Sequence, residues 1–337
     1  MISVNLPAKH ALSGLTTYQS RHLILATSDF TRLFAFTSIY LSIYLSIYLS
    51  IYLSIYLMLP LHLTTNMRAH LTGDVGPAES SNSLLALGEG IIPANTNEFV
   101  NIQGLSTVVT TPATLRKSVF PDLQTNYNNI EWLARRAILA PKNTTVTTLN
   151  RQLLETVPGV LHVYKSTDRT PDPAEMANFP VEFLNSLHPA GLPPHILELK
   201  VEIPVILLRN LRPSKLCNGI RMAIQAVHPN IIEAKIITGC GKGEQVLIPR
   251  MHFYPSDADV PFTFRRSQFP VAPCFAMTIN KAQRKTLSVT GVHLEEQCFS
   301  HGQLYVAFSR VGRREDVFLY SPLQKAKNVV YAEVLSQ

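Results

Sequence analysis

Acidic residues are scarce in this 337-residue chain, and their absence is concentrated. None occurs from 203 to 232 and none from 260 to 294, while Asp plus Glu total 23 against 30 Lys plus Arg. The first stretch carries Arg209, Arg212, Lys215 and Arg221; the second carries Arg265, Arg266, Lys281, Arg284 and Lys285. Basic stripes without acids are the electrostatic footprint of phosphate-backbone binding, with a solvated surface face as the plain alternative, and they do not separate DNA from RNA. Cysteine is also sparse. The four (Cys217, Cys240, Cys274, Cys298) form no C-x-x-C pair, which argues against a disulfide-stapled secreted domain and a zinc knuckle and leaves a reduced, intracellular setting. Charged residues are only 16% and hydrophobic ones 46%, which excludes a fully disordered chain.

What the sequence has in excess lies near its start. Residues 33–59 contain no charge, and the tetrapeptide SIYL runs five times without a break from Ser38 to Leu57. By length this is a transmembrane candidate. Against that, a period of four drifts around a 3.6-residue helix, and half of the repeat positions are Ser or Tyr. A perfect short repeat also has the look of translated tandem DNA, so the alternatives are a low-complexity leader, a membrane anchor or a β-aggregating segment. Residues 1–58 are left out of the fold.

The remainder reads as alternating short helices and strands. Asn82 to Leu87 is helical and stopped by Gly88 and Gly90; Ile130 to Ile138 is a short amphipathic piece. AILAP (137–141) reads as a buried strand. The helix after it has Asn143 as its expected N-cap and an apolar row of Val146, Leu149, Leu153 and Val157. From 197 to 270, β-branched runs are separated by Asn-Gly, His-Pro-Asn and Gly-Lys-Gly turns, the pattern of a small antiparallel barrel. Near the end, FSHGQLYVAFSRVG predicts a helix of about three turns, with Ser300 and Gln303 as a capping box and Gly312 as the stop. Leu304, Ala307, Phe308 and Val311 form its buried stripe, with Gln303 and Arg310 along one edge. Arg310 is then either a guanidinium aimed at a phosphate or a cation complementing the helix C-terminus.

Several blocks carry a family resemblance. LHLTTNMR (61–68), ILAPKNTTVTTLN (138–150), EFLNSLHPAGLPPHILELKVEIPVILLRNL (182–211) with LCNGIR (216–221), FAMTINKAQRKTL (275–287) and HGQLYVAFSRV (301–311) occur in this order. Together they resemble the C-terminal half of the petite-integration-frequency (PIF-type) DNA helicases, in the form carried by Helitron-type elements. The resemblance implies an α/β fold: a second RecA-like (P-loop NTPase-type) domain with an inserted small antiparallel β-barrel, preceded by the low-complexity leader. The implied boundaries are 59–135 for a remnant tail of the first lobe, 136–195 and 270–337 for the two parts of the second lobe, and 196–269 for the inserted barrel. It also implies ATP-dependent 5′-to-3′ unwinding in replication, repair, recombination, telomere maintenance or transposition. The expected partners are single-stranded DNA or forks, met by a monomer in the nucleus or elsewhere inside the cell, with ATP and Mg2+ as cofactors and no protein-held metal.

Residue by residue, the resemblance places Arg68 of the fourth motif and Arg310 of the sixth at the γ-phosphate as arginine fingers. It places Thr278, Lys281, Gln283, Gln303 and Tyr305 around the nucleotide. Arg209, Arg212, Asn218, Arg284, Lys285 and Thr286 fall along the DNA path. Two departures stand out. Arg284 follows Gln283 where the family has Gly; if that position is left-handed, an Arg there costs roughly 1 kcal/mol or more. The chain also has no G-x-x-x-x-G-K-[ST]. Its one Gly-Lys pair, Gly241–Lys242, is followed by Gly243 and has Ile236 where the motif needs Gly, and no apolar run ends in an acidic pair. The expectation is a C-terminal helicase portion that does not hydrolyse ATP alone, or a non-catalytic single-stranded nucleic-acid-binding module; a membrane-anchored interaction protein rests only on residues 33–59.

Overall fold

The computed structural model describes residues 77–94, 98–101, 104–171, 178–189, 191–255, 262–331 and 333, all within a compact unit spanning Thr65–Gln337. The SIYL repeats and the block 61–68 with Arg68 lie outside the described residues. No helix among the described residues is long and apolar enough to cross a membrane.

In chain order, α1 (Pro77–Gly88), β1 (Phe99–Asn101), β2 (Thr107–Val109), α2 (Pro112–Val119), α3 (Leu123–Asn126) and α4 (Ile130–Ala134) come first. There follow β3 (Arg136–Ala140), α5 (Asn143–Thr156), β4 (His162–Lys165), β5 (Thr167–Arg169), α6 (Val181–Ser186), β6 (Ile196–Leu199) and β7 (Pro204–Leu207). Next are β8 (Arg221–Val227), β9 (Ile231–Ile236), β10 (Gln245–Pro249), β11 (Met251–Phe253), β12 (Arg265–Gln268) and β13 (Val271–Pro273). The chain closes with β14 (Ala276–Thr278), β15 (Val289–His293), α7 (Gln303–Phe308), β16 (Val317–Tyr320) and β17 (Lys325–Lys327).

A five-stranded parallel sheet, β14-β3-β15-β16-β2, organises the molecule. Parallel strands are covered on both faces, which is why RAILA reads as a continuous apolar run and is buried from Ala137 to Ala140. Ile138 packs into one core with Leu115 and Val119 of α2 and with Leu149 and Leu153 of α5. Its neighbours Ala137 and Leu139 pack oppositely, with Leu87 of α1 and with Leu304, Ala307 and Phe308 of α7. The result is the expected α/β lobe with helices on both faces. Thr111 starts α2 by accepting the Thr114 amide at 3.0 Å, with Pro112 in the first turn. Helix α2 lies so close to the sheet that a Cβ on Gly291 would sit 2.6 Å from Val119.

The exposed edge of β14 is closed by a side chain. Asn150 of α5 donates to the Ala276 carbonyl (3.0 Å) and accepts its amide (2.8 Å), as a neighbouring strand would. Its neighbour Asn143 does not cap the helix. Lys142 occupies that position, in extended conformation and without a side-chain cap; its ammonium pairs instead with Glu296 at 2.9 Å.

Two boundaries differ from the sequence expectation. Strand β2 pairs with β16 in the parallel sheet, so residues from 107 onward belong to this lobe and not to a remnant of another. The insert begins before 196, because β4 pairs with β6 and β5 pairs with β12. The insert itself is an open antiparallel sheet, β10-β9-β8-β7-β13, beside a three-stranded sheet, β11-β12-β5. Its turns fall at the Asn-Gly, His-Pro-Asn and Gly-rich positions read from the sequence. Its edge strands, β10 and β13, are not paired to each other among the described residues, so the expected barrel is not closed.

The three-stranded sheet is fixed by a buried ion pair. Arg266 meets Asp168 at 2.7 Å, both side chains fully buried, and also donates to the carbonyls of Leu184, Leu187 and Pro193. Asp168 in turn accepts the Ser166 hydroxyl at 2.6 Å. Removing one partner strands the other charge without water. Asp168→Ala is therefore expected to cost about 3–5 kcal/mol of stability. Chemical denaturation checks this; a loss under about 1 kcal/mol, the range of surface pairs, would contradict it.

Candidate nucleic-acid interface

The site residues gather around one loop, 279–287, which leaves β14 through a 3-10 turn (Asn280–Ala282). Thr278 ends the strand, half-buried, while Lys281, Gln283, Arg284 and Thr286 are exposed. The loop is gripped from two sides. On one side, Arg310 is buried and turns its guanidinium toward the loop's carbonyls, Ala282 at 3.2 Å and Lys285 at 3.4 Å. It also donates to the Val306 carbonyl (2.7 Å) and the Ser309 hydroxyl (2.6 Å), and its own carbonyl accepts the Leu287 amide. Both readings of this arginine thus have a physical basis. It does complement the end of α7, and it would reach a phosphate only by exchanging carbonyl partners for one.

On the other side, Lys285 reaches the insert and donates to the Gly219 carbonyl at 2.6 Å. Burial lowers the Lys285 pKa; Cys274 opposes the shift and Arg221 reinforces it. Gly219 belongs to the Asn-Gly turn between β7 and β8 and has a φ of +88°, a conformation that favours glycine. In the same turn the exposed Asn218 gives its amide to Asn210. Arg209 is exposed, lies over the Phe253 ring at 5.4 Å and donates to the His252 carbonyl. Arg212 is exposed as well. The structure therefore joins Asn218 to Arg284, Lys285 and Thr286 through one lysine contact, and leaves Arg209 and Arg212 on the outer side of the insert's loop.

The sixth-motif helix is shorter than its apolar stripe suggests. Six residues, 303–308, are helical, because Gly302 at φ +65° begins the helix and Ser309 ends it. Ser300 makes no side-chain cap; the Gln303 side chain reaches past it to the Phe299 amide at 3.0 Å. The Nε2 of Gln303 is buried without a partner among the described residues. Tyr305 packs its ring over Gly88 at the end of α1, where a Cβ would be 2.9 Å away.

Several basic residues of the acid-free stretches do not face solvent. Arg221 is fully buried and donates to the carbonyls of Ala134, Leu133, Arg136 and Cys274 at 2.9–3.2 Å, tying β8 to the end of α4 and the start of β3. Arg266 is consumed by Asp168, and Lys215 pairs with Glu244. Nothing in the local sequence marks Arg221 as internal, since its acceptors lie more than 50 residues away. The free-facing charge is smaller than the count suggests, and it is concentrated at the loops.

Arg284 has a φ of +62°, the left-handed conformation anticipated from the missing glycine. Its exposed side chain gains no hydrogen bond among the described residues that would offset the strain. Arg284→Gly is expected to raise stability by up to about 1 kcal/mol. Urea denaturation checks it, and a loss of stability would contradict the strained assignment.

Comparisons with known proteins bear on this arrangement. The family model described as "DNA helicase Pif1, 2B domain" matches residues 182–227, the segment from α6 to the end of β8. ATP-dependent DNA helicase PIF6 of Trypanosoma brucei brucei is 34% identical over 130 residues, covering 37% of this chain and 16% of that protein. Human ATP-dependent DNA helicase PIF1 is 28% identical over 165 residues, covering 48% of this chain and 23% of that one. The matches thus span less than a quarter of these relatives' own length. Among solved structures, the Candida albicans Pif1 helicase is 21% identical and covers 66% of this chain and 55% of that one, with a TM-score of 0.43. Bacteroides Pif1 bound to ssDNA is 17% identical and covers 66% and 51%, with a TM-score of 0.45. Over about half of its length the chain is thus similar to Pif1 DNA helicases, and residues 182–227 match the model of their 2B domain.

Proposed function

We propose that this chain serves as the second motor lobe and DNA-gripping insert of a Pif1-type ATP-dependent DNA helicase. The observation that supports this most is the loop 279–287, held by Arg310 from the sixth motif and linked by Lys285 to the Asn218–Gly219 turn of the 2B segment. A change in the partners of Arg310 would release two carbonyls of that loop, and the loop's own lysine would pass the movement to the insert. Bound ATP supplies the phosphoryl transfer that drives such movement in helicases. The residues present fit one side of it. Gln303 offers a buried amide hydrogen without a partner among the described residues, and Arg310 offers a fork of donors that meets carbonyls of the loop and the Ser309 hydroxyl. Arg68 would add a second cation by its place in the fourth motif.

Binding and hydrolysis separate in this reading. The exposed Arg209, Arg212 and Arg284 can neutralise phosphates without any nucleotide, whereas hydrolysis needs a phosphate-cradling G-x-x-x-x-G-K-[ST] loop that the sequence does not contain. By itself the chain would hold single-stranded or forked DNA without unwinding it.

Two measurements on the purified chain test this. Fluorescence anisotropy with a fork bearing a single-stranded tail is expected to show binding that weakens steeply with salt, each phosphate contact contributing about 0.7 to the log–log slope on single strands. No binding at low salt would contradict the reading. DNA-stimulated phosphate release is expected to stay at background, and activity that disappears with Arg310→Ala would overturn the claim of separation.

A further inference from the structure

We propose that the solvent face of the three-stranded sheet β11-β12-β5 is a platform for single-stranded nucleic acid. It would contact the phosphate backbone through Arg169 and Arg265, with Lys165 at the end of the adjoining β4, and a base through Tyr254. The proposal rests on the DNA-binding reading above and assigns it a second surface, away from the loop 279–287.

The face is defined by strict alternation. From 161 to 170, buried positions alternate with outward ones: Tyr164, Ser166, Asp168 and Thr170 are buried, while Lys165, Thr167 and Arg169 are exposed. In β12, Arg266 and Gln268 are buried and Arg265 and Ser267 point the other way. Because side chains alternate at period two, one face holds the Arg266–Asp168 pair and the opposite face holds the outward set. The register places Arg265 directly opposite Arg169, Ser267 opposite Thr167 and His252 opposite Ser267.

Two arginines directly opposite each other in an antiparallel pair repel and destabilise the sheet. Neither has an acidic partner among the described residues, and neither does Lys165. An anion lying between them relieves the repulsion, and the guanidinium fork suits a phosphate. Hydroxyls from Thr167 and Ser267 stand beside the arginines as further donors. One residue beyond β11, Tyr254 is 52% exposed, and it continues the alternation that leaves His252 outward and Phe253 buried. An exposed aromatic beside cations on an open sheet is the combination that stacks unpaired bases while holding their backbone. A duplex keeps its base faces stacked inside, so the tyrosine favours a single strand. Arg209 borders the same sheet at its free β11 edge through the His252 carbonyl and the Phe253 ring.

Anisotropy titrations of the full chain with labelled oligo-deoxythymidine, at several salt concentrations, test the proposal. The double variant Arg169→Ala/Arg265→Ala is expected to bind at least tenfold more weakly near 0.1 M salt, with the log–log slope reduced by about 1.4 for two lost contacts. Its thermal midpoint should not fall, since it removes a repulsion. Tyr254→Ala is expected to weaken binding to the base-bearing oligomer but not to an abasic one, and Tyr254→Phe to retain it. Ultraviolet cross-linking of the unaltered chain to a bromodeoxyuridine oligomer should map to Tyr254 and gives an answer that no variant's folding can confuse. If the unaltered chain binds with its full salt slope and the variants bind equally well, the platform is wrong and the broader reading stands. If the unaltered chain binds no DNA, both fail. Equal losses for duplex and single strand would overturn the single-strand assignment.

Discussion

A guanidinium or ammonium removed from water must find acceptors, and at the junctions of this molecule it finds backbone carbonyls instead of carboxylates. Arg221 holds four of them, from α4, the start of β3 and the residue before Phe275, and so binds the insert to the parallel sheet where the chain enters β3 and where it returns toward β14. Arg310 holds the loop 279–287 in the same way, and Lys285 carries that loop to Gly219. Carbonyls are fixed by the backbone, so each such contact positions a segment and not merely a side chain. They are also neutral, so an anion arriving at Arg310 would compete for it with advantage.

This arrangement explains why one loop matters more than its size suggests. It follows a strand of the central sheet, it carries a left-handed arginine at 284, and two cations tie it to its neighbours, Arg310 from α7's end and its own Lys285. Strain of this kind persists only where the surroundings over-determine the backbone, and such positions gather at functional sites. Asn150 anchors the strand that feeds the loop through both backbone groups of Ala276. The Tyr305 ring over Gly88 holds the sixth-motif helix against α1 on the far side of the sheet.

Much of this was legible in the sequence, and the rest was hidden for identifiable reasons. RAILA and the turns of the insert were readable because burial on both faces and the chemistry of Asn-Gly and Gly-rich turns are local properties. The left-handed backbone at Arg284 meets the condition attached to the missing glycine. The capping roles of Asn143 and Ser300 were misplaced because Lys142 and a left-handed Gly302 took the helix starts. Arg221 and Arg266 looked like surface charge, since an acid-free stretch records composition and not orientation. The alternation in KSTDR could have separated Asp168 from its outward neighbours, but the short run sits in a proline-rich region that reads as loop. The insert's early start was hidden for the same reason: pairing between β5 and β12 joins residues nearly a hundred positions apart.

We infer that Arg310, the loop 279–287 and the Asn218–Gly219 turn respond as one unit because Lys285 links them. Hydrogen–deuterium exchange of the full chain with and without oligo-deoxythymidine, in the unaltered protein and in Lys285→Met, measures this directly. Protection is expected to rise together at 208–220 and 280–287 on binding, and to become independent in the variant. Segments that stay coupled without the lysine, or never respond together with it, would contradict the account.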